Sequence, residues 1–180
     1  MFVLRKSDEF YLCVNYYELN VIIIKNCYSL SLTSELLDQV DDFIIFSKID
    51  LQNAYHRICI WEDDEWKIIF CTQYRHFEYQ IVLFDLTNAP AIFQVYINQA
   101  LYDLVDNFCI IYLDNILIFS KFEEEHYQHL KLVIEHLWCA ELYVNSKKYK
   151  FFKTEVEYLD FLVSDMSLHM NLSHVKTVSD

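Results

Sequence analysis

Two places in this sequence have the residue types and surroundings to do chemistry. Asp50 closes the apolar run "FIIFSKIDL" (Phe43 to Leu51), and Asp114-Asn115 interrupts "FCIIYLDNILIFS" (Phe108 to Ser120). Both carboxylates sit among residues that favour burial, where an unpartnered charge is costly. A carboxylate ending one strand, beside another at the tip of an adjacent hairpin, makes a divalent-cation site. Mg²⁺ takes one or two carboxylates together with substrate phosphates. Two such ions about 4 Å apart clamp the attacking and leaving oxygens of a phosphoryl transfer. Asp-Asn is also ordinary hairpin-turn chemistry, so the metal reading depends on Asp50 lying on a neighbouring element.

The pattern of the chain supplies such elements. Phe43 to Leu51 reads as a strand, and Phe108 to Ser120 as a tight hairpin. The spacing predicts helices over Asn88 to Val105, with Asn88 as cap and Pro90 in the first turn, and over Phe122 to Leu142, with Glu123 to Glu125 in its favourable first turn. A short helix is expected over Ser34 to Val40, capped by Thr33 or Ser34. Hairpins are expected from Phe2 to Val14 and around Arg75, and a last strand from Thr154 to Val163. Antiparallel hairpins with two main helices place the fold in the α+β class.

Composition narrows the rest. The 180 residues are 54% hydrophobic and 17% aromatic, enough to fill the core of one domain and unlike a disordered chain. No apolar run reaches the ~20 residues of a membrane span, and the N-terminus has no signal-peptide pattern. The six cysteines are scattered without any C-x-x-C, and reduced, mostly buried thiols are expected. The net charge of −13 counts against a polyanion partner. Glycine is absent and Pro90 is the only proline, where ordinary usage predicts about a dozen and about nine. His126, His129 and His136 are expected on a solvated helix face. Lys147, Lys148, Lys150 and Lys153 form one basic cluster, either a track for a nucleic-acid backbone or a plain surface patch.

Five blocks occur in order: "FSKIDLQNAYHRI", "FDLTNAPAIFQVYINQAL", "IIYLDNILIFSK", "EEEHYQHLKLVIEHL" and "KKYKFFKTEVEYLDF". Together they resemble the fingers and palm of a reverse transcriptase from a gypsy-type long-terminal-repeat retrotransposon polyprotein. The resemblance implies an α+β polymerase right hand, with an antiparallel palm sheet backed by helices. Its fingers would be about 1–45 and 65–85, and its palm about 46–64 and 86–180, with no thumb or RNase H region. It also implies a nucleotidyltransferase that uses two Mg²⁺, a template-primer of RNA or DNA, deoxynucleoside triphosphates and the rest of a Pol polyprotein, with no membrane. Asp50 and Asp114 match the first two metal-binding aspartates, and Asn115 stands at the third. Tyr55 resembles the steric gate against a ribose 2′-hydroxyl. Lys6 matches a lysine that neutralises the triphosphate, and the backbone near Leu51 would meet metal and triphosphate. Phe84 and Gln94 fall in the block that lines the nucleotide and template pocket. The "YLDF" block resembles the primer grip.

Departures from that pattern point one way. Tyr11 and Tyr17 stand at arginines, as do Cys27 and Trp138, and Asn15 stands at an aspartate. Family glycines correspond to Asp8, Asp42, Arg75, Asp85, Glu141, Asp160 and Ser167, and family prolines to Ser29, Ser31, Leu83 and Leu172. All are readable as G-to-A and C-to-T transitions. The resulting hypothesis is a degenerate copy that decayed by directional cytosine deamination. Sister copies retaining the glycines, with a biased dinucleotide context, are the expected DNA record, and random substitution types would sink the idea. The chain is accordingly expected to fold poorly and to be impaired or inactive through Asn115, Tyr11 and Asp85. The other reading is a non-catalytic relic, or an interaction or nucleic-acid-binding module that keeps the fold.

Overall fold

The structure is a computed structural model that describes residues 2–6, 9–28, 32–40, 42–52, 54–164 and 167–170, with backbone alone at 2–6, 9–13, 34 and 167–170. Lys6 and Tyr11 therefore enter only as strand positions, and Asp8, Ser29, Ser31 and Leu172 lie outside the described residues. In chain order the elements are β1 (Phe2–Lys6), β2 (Glu9–Cys13), α1 (Tyr17–Ile22), α2 (Thr33–Asp38), β3 (Ile45–Gln52), β4 (Phe70–Cys71), β5 (His76–Phe77) and α3 (Ala89–Ala100). They continue with β6 (Cys109–Tyr112), β7 (Asn115–Ser120), α4 (Glu123–Cys139), β8 (Tyr143–Val144), β9 (Lys150–Lys153), β10 (Glu155–Tyr158), β11 (Phe161–Ser164) and β12 (Ser167–Met170). Single 3₁₀ turns cover Ala54–Arg57 and Glu65–Ile68.

The chain divides into two compact units, one of residues 1–27 and 55–93, the other of 28–54 and 94–180. The first holds the antiparallel pairs β1–β2 and β4–β5. Its buried residues include Tyr16, Ile68, Val82, Ala89 and Phe93. Tyr16 donates its hydroxyl to Ile68 O at 3.0 Å, and burial, with Tyr79 and Asp85 adding to it, raises its pKa to about 12. The hairpin expected around Arg75 forms, but only as two-residue strands. Asn88 stands at the cap position of α3, its carbonyl accepting from Ile92 N at 3.0 Å, but its side chain does not serve the helix. Its side chain accepts from Asn26 N and donates to Ile24 O, each at 2.9 Å, and so ties down an upstream loop instead.

The second unit contains a five-stranded sheet in which β7 and β9 flank β3, with β6 beyond β7 and β8 pairing the end of β3. All of its pairings are antiparallel. Phe46, Ile110, Leu117 and Phe119 of this sheet form one core cluster with Leu37 and Val40 and with Val156, Tyr158 and Val163 of the β10–β11–β12 sheet. The last element was expected as one strand. It is a hairpin, because Leu159 and Asp160 both take positive φ (49° and 68°) between the partners Tyr158 and Phe161. That is a two-residue turn of the I′ kind, usually written with Asn-Gly, and without glycine nothing in the letters announced it. The predicted stripe of α3 runs to Val105, and Leu101 and Leu104 are buried, but regular helix stops at Ala100. Beyond it a tighter turn (Leu104 N to Leu101 O, 2.9 Å) leads to Asp106 at φ 63°. The cap of α2 is Leu32, with no side-chain cap bond.

α4 packs on the sheet through a hub that was expected to be solvated. His126 is wholly buried, with Nε2 2.7 Å from Ser47 Oγ of β3 and Nδ1 2.9 Å from Ser120 Oγ of β7. Ser120 Oγ also meets His129 Nδ1 at 2.7 Å, and His129 stacks on Phe108. Ser47 Oγ accepts from Phe152 N at 3.1 Å where β9 bulges, Phe152 taking φ 51°. The cysteine expectation also fails: of the described thiols only Cys109 is buried, its pKa raised to about 12 by that burial, while Cys27, Cys59, Cys71 and Cys139 are exposed. Phe152 is exposed.

Burial, with His129 adding to it, lowers the pKa of His126 from 6.5 to about 4. Below pH 6.5 the unfolded chain therefore takes up a proton that the folded chain refuses until about pH 4. Stability is expected to fall across that window by roughly 2–4 kcal/mol. Thermal midpoints measured from pH 7 to pH 4 should show the loss, and His126→Gln should flatten it. An unchanged slope in that variant would remove His126 as its source.

Candidate metal centre

β3 is buried along most of its length, so it delivers Asp50 into the sheet nearly enclosed, with 7% of the residue exposed. β6 and β7 form the hairpin beside it, and the antiparallel register places Asp50 directly opposite Asn115. Tyr112 pairs with Asn115, so Leu113 and Asp114 make a two-residue turn. Leu113 takes φ 52° and Asp114 does not take positive φ, the II′ pattern that normally has glycine first. The turn is braced from below. Gln94 Oε1 accepts from Leu113 N at 2.8 Å, and its Nε2 donates to Asn98 Oδ1 at 2.9 Å and toward Ile111 O at 3.5 Å. Leu51 N donates to Asp114 O at 2.9 Å, which locks the turn to β3. Tyr158, fully buried, donates its hydroxyl to Asn115 O at 3.2 Å.

The side chains at this point form a small charge cluster. Burial raises the pKa of Asp114 above the usual carboxylate value, and the charge of Asp50 raises it further, while Lys148 and Lys48 pull it down. Asn115 Nδ2 donates to Asp114 Oδ1 at 3.2 Å. Lys148 Nζ lies 3.3 Å from Asp50 Oδ2, and Lys48 donates to Glu157 O at 3.1 Å. Two desolvated carboxylates, one on β3 and one in the turn beside it with a raised pKa, are a functional-site signature. The oxygen donors suit one hard divalent cation, and the ammonium of Lys148 against Asp50 is a cation already standing there. No group of three His, Cys, Asp or Glu residues gathers among the described residues. At this site the third position is an amide.

Asp50, Leu51, Gln94, Asp114 and Asn115 thus belong to one unit, and the other holds Tyr55, Phe84 and Asp85. There the Tyr55 ring packs on Phe93 with centroids 5.2 Å apart, Phe84 is exposed, and Asp85 accepts at its carbonyl from Asn20 Nδ2 at 2.8 Å. Sequence reasoning did not find the contact of Lys148 with Asp50. Its signal was Asn145, an Asx-turn former just ahead of the basic cluster.

The fold and site define a class, the α+β fingers and palm of a polymerase right hand. Two solved structures of foamy viral protease–reverse transcriptase share it. One, in complex with RNA/DNA hybrid, has TM-score 0.85 at 20% identity and covers 99% of this chain and 24% of that one. The other, in complex with double-stranded DNA, has TM-score 0.87 at 19% identity and covers 99% and 31%. The sequence pattern of the reverse transcriptase (RNA-dependent DNA polymerase) family matches residues 10–163, and the chain belongs to that family. It is 36% identical over 165 residues to the Transposon Tf2-7 and Tf2-3 polyproteins of Schizosaccharomyces pombe. Those alignments take in 92% of this chain, which spans 12% of the length of those relatives. No described helix is long and apolar enough to cross a membrane.

Proposed function

We propose that this chain is the fingers and palm of a gypsy-type long-terminal-repeat retrotransposon polymerase, a degenerate copy whose nucleotidyl transfer is impaired. The observation that carries the reading is the register of Asp50 against Asn115 with Asp114 in the adjoining turn. The fingers would be about 1–45 and 65–85 and the palm about 46–64 and 86–180. Asp50 and Asp114 would hold Mg²⁺, two ions in an active relative, and the metal would supply charge neutralisation for a deoxynucleoside triphosphate and an RNA- or DNA-primed end. Asp50 is fixed by β3, and Asp114 by the bonds of the turn to Leu51 and Gln94, so neither needs to reorganise when charge develops. Tyr55 would bar a 2′-hydroxyl, with Phe84 lining the pocket beside it.

The impairment follows from charge. Asp50 and Asp114 face Lys148 and Lys48, so the cluster is already balanced without a metal. A third aspartate would leave it negative and in need of a cation, whereas Asn115 does not. Tyr11 offers no charge to a triphosphate, and Asp85 would repel one. The same balance favours the second reading, a catalytically silent relic or an interaction or nucleic-acid-binding module retaining the fold.

The test is Mg²⁺-dependent primer extension on an RNA template, with this chain completed by the downstream segments of a relative. Weak incorporation that Asp50→Asn or Asp114→Asn removes is expected. Robust incorporation by the parent would end the claim of impairment, and incorporation untouched by either variant would end the site assignment.

A further inference from the structure

The loop after β8 is built onto Asp50. Asn145 N donates to the Asp50 carbonyl at 2.8 Å, and Asn145 Nδ2 reaches toward Asp50 Oδ1 at 3.5 Å. Asn145 Oδ1 accepts from Lys147 N at 3.1 Å, and Lys148 N donates to Asn145 O at 3.2 Å, the bonds of an Asx-turn. The loop is thereby held at one residue of the sheet, and it projects Lys148 Nζ to 3.3 Å from Asp50 Oδ2. The two side chains differ in exposure: that of Asp50 is 10% exposed and that of Lys148 is 63%. A nearly enclosed carboxylate is met from the solvent side by an exposed ammonium.

We propose that Lys148 is a tethered cation that occupies the metal-binding side of Asp50 and competes with a divalent ion for it. The inference rests on the reading of Asp50 and Asp114 as a metal site. Lysine is a compact point charge on a flexible four-carbon stem, so it neutralises Asp50 and withdraws at little cost. The pair is open to solvent on its lysine side, so the ammonium is weak enough a partner to be displaced. Lys48 does not have this freedom, because it is half-buried and its Nζ is bonded to Glu157 O. Asn115 sharpens the competition: with two carboxylates rather than three, one ammonium is a larger share of the charge a divalent ion must replace.

The experiment is Mn²⁺ binding to the whole 180-residue chain, read by electron paramagnetic resonance and calorimetry. Lys148→Met is expected to bind Mn²⁺ about two- to fivefold more tightly than the parent, from the strength of such pairs. Lys148→Arg keeps a cation and should not bind more tightly, and Asp50→Asn should abolish binding. Without a divalent ion Lys148→Met should melt below the parent, and saturating Mn²⁺ should close the gap. Should Lys148→Met fold badly, Lys148→Gln reads the same affinity. Unchanged or weaker Mn²⁺ binding in the lysine variants, with Asp50→Asn still abolishing it, overturns the competition and leaves the metal site standing. No Mn²⁺ binding at millimolar concentration in the parent or in Lys148→Met overturns both.

Discussion

Asn115→Asp, combined with Asp85→Gly and Tyr11→Arg in the same completed polymerase, is expected to raise Mg²⁺-dependent nucleotide incorporation by at least about a hundredfold over the unrestored chain. Loss of a single preorganised group at a reacting centre typically costs about 10²–10³ in rate, and three positions are addressed together. Position 115 carries most of the expectation. It lies opposite Asp50 in the ladder, and its amide bonds the Asp114 carboxylate at 3.2 Å. A carboxylate there would stand beside two others, break the local balance with Lys48 and Lys148, and make a cation necessary for charge as well as for chemistry. That variant should also lose some stability without Mg²⁺ and regain it with the ion, because like charges at close range oppose one another's ionisation. Asp85 is exposed and its main chain is bonded to Asn20, so Asp85→Gly removes a charge and a Cβ without removing a core contact. Primer extension on an RNA template measures the result. A restored chain that folds as the parent does and incorporates nothing would show that Asp50 and Asp114 are not the catalytic carboxylates.

What the letters disclosed followed from where their chemistry survived. The hairpin of β6 and β7 was legible because two apolar runs flank a polar pair, and a run that short folds only by turning back. α4 was legible because its acidic first turn and apolar stripe are both intact. The hairpin of β10 and β11 was not, since its I′ turn is written Leu159-Asp160, a pair that signals nothing. Asn88 has the residue type of a cap, but partners 62 and 64 positions away claim its side chain. His126 looked like a helix-face residue because its hydrogen-bond partners, Ser47 and Ser120, lie on two strands whose pairing no local pattern states. Within the candidate centre, the two carboxylates could be named from their apolar surroundings. The ammonium at Asp50 could not, because it depends on a loop anchored across 95 positions of sequence.

Glu141→Gly and Asp160→Gly are expected to stabilise the protein, by about 1 kcal/mol and somewhat less, respectively, because both positions hold the backbone in the left-handed region (φ 54° and 68°). Glu141 is the stronger case. α4 ends with Glu141 N bonded to Trp138 O at 3.1 Å and Leu142 N to Leu137 O at 2.9 Å. Those are the two bonds of a Schellman cap, in which the left-handed residue is usually glycine. Asp160 is the second residue of the I′ turn, and aspartate tolerates that conformation better than glutamate does, so its gain is smaller. One site ends α4 and the other turns the β10–β11 hairpin, two separate elements, so their effects should add. For a chain of this size the double variant should melt about 3–6 °C higher. The other positions where family glycines were inferred supply the control. Arg75 and Asp85 are described and neither takes positive φ. Glycine there would only loosen the unfolded and folded chain, at a cost of roughly 0.5–1 kcal/mol where the segment is ordered. Calorimetry on the four single variants separates the two groups. If all four behaved alike, backbone strain would not be what the lost glycines cost this fold. If only Glu141→Gly and Asp160→Gly gained, the strain left by the tested lost glycines would sit at one helix end and one turn, and the other tested departures would have to act on the site rather than on stability.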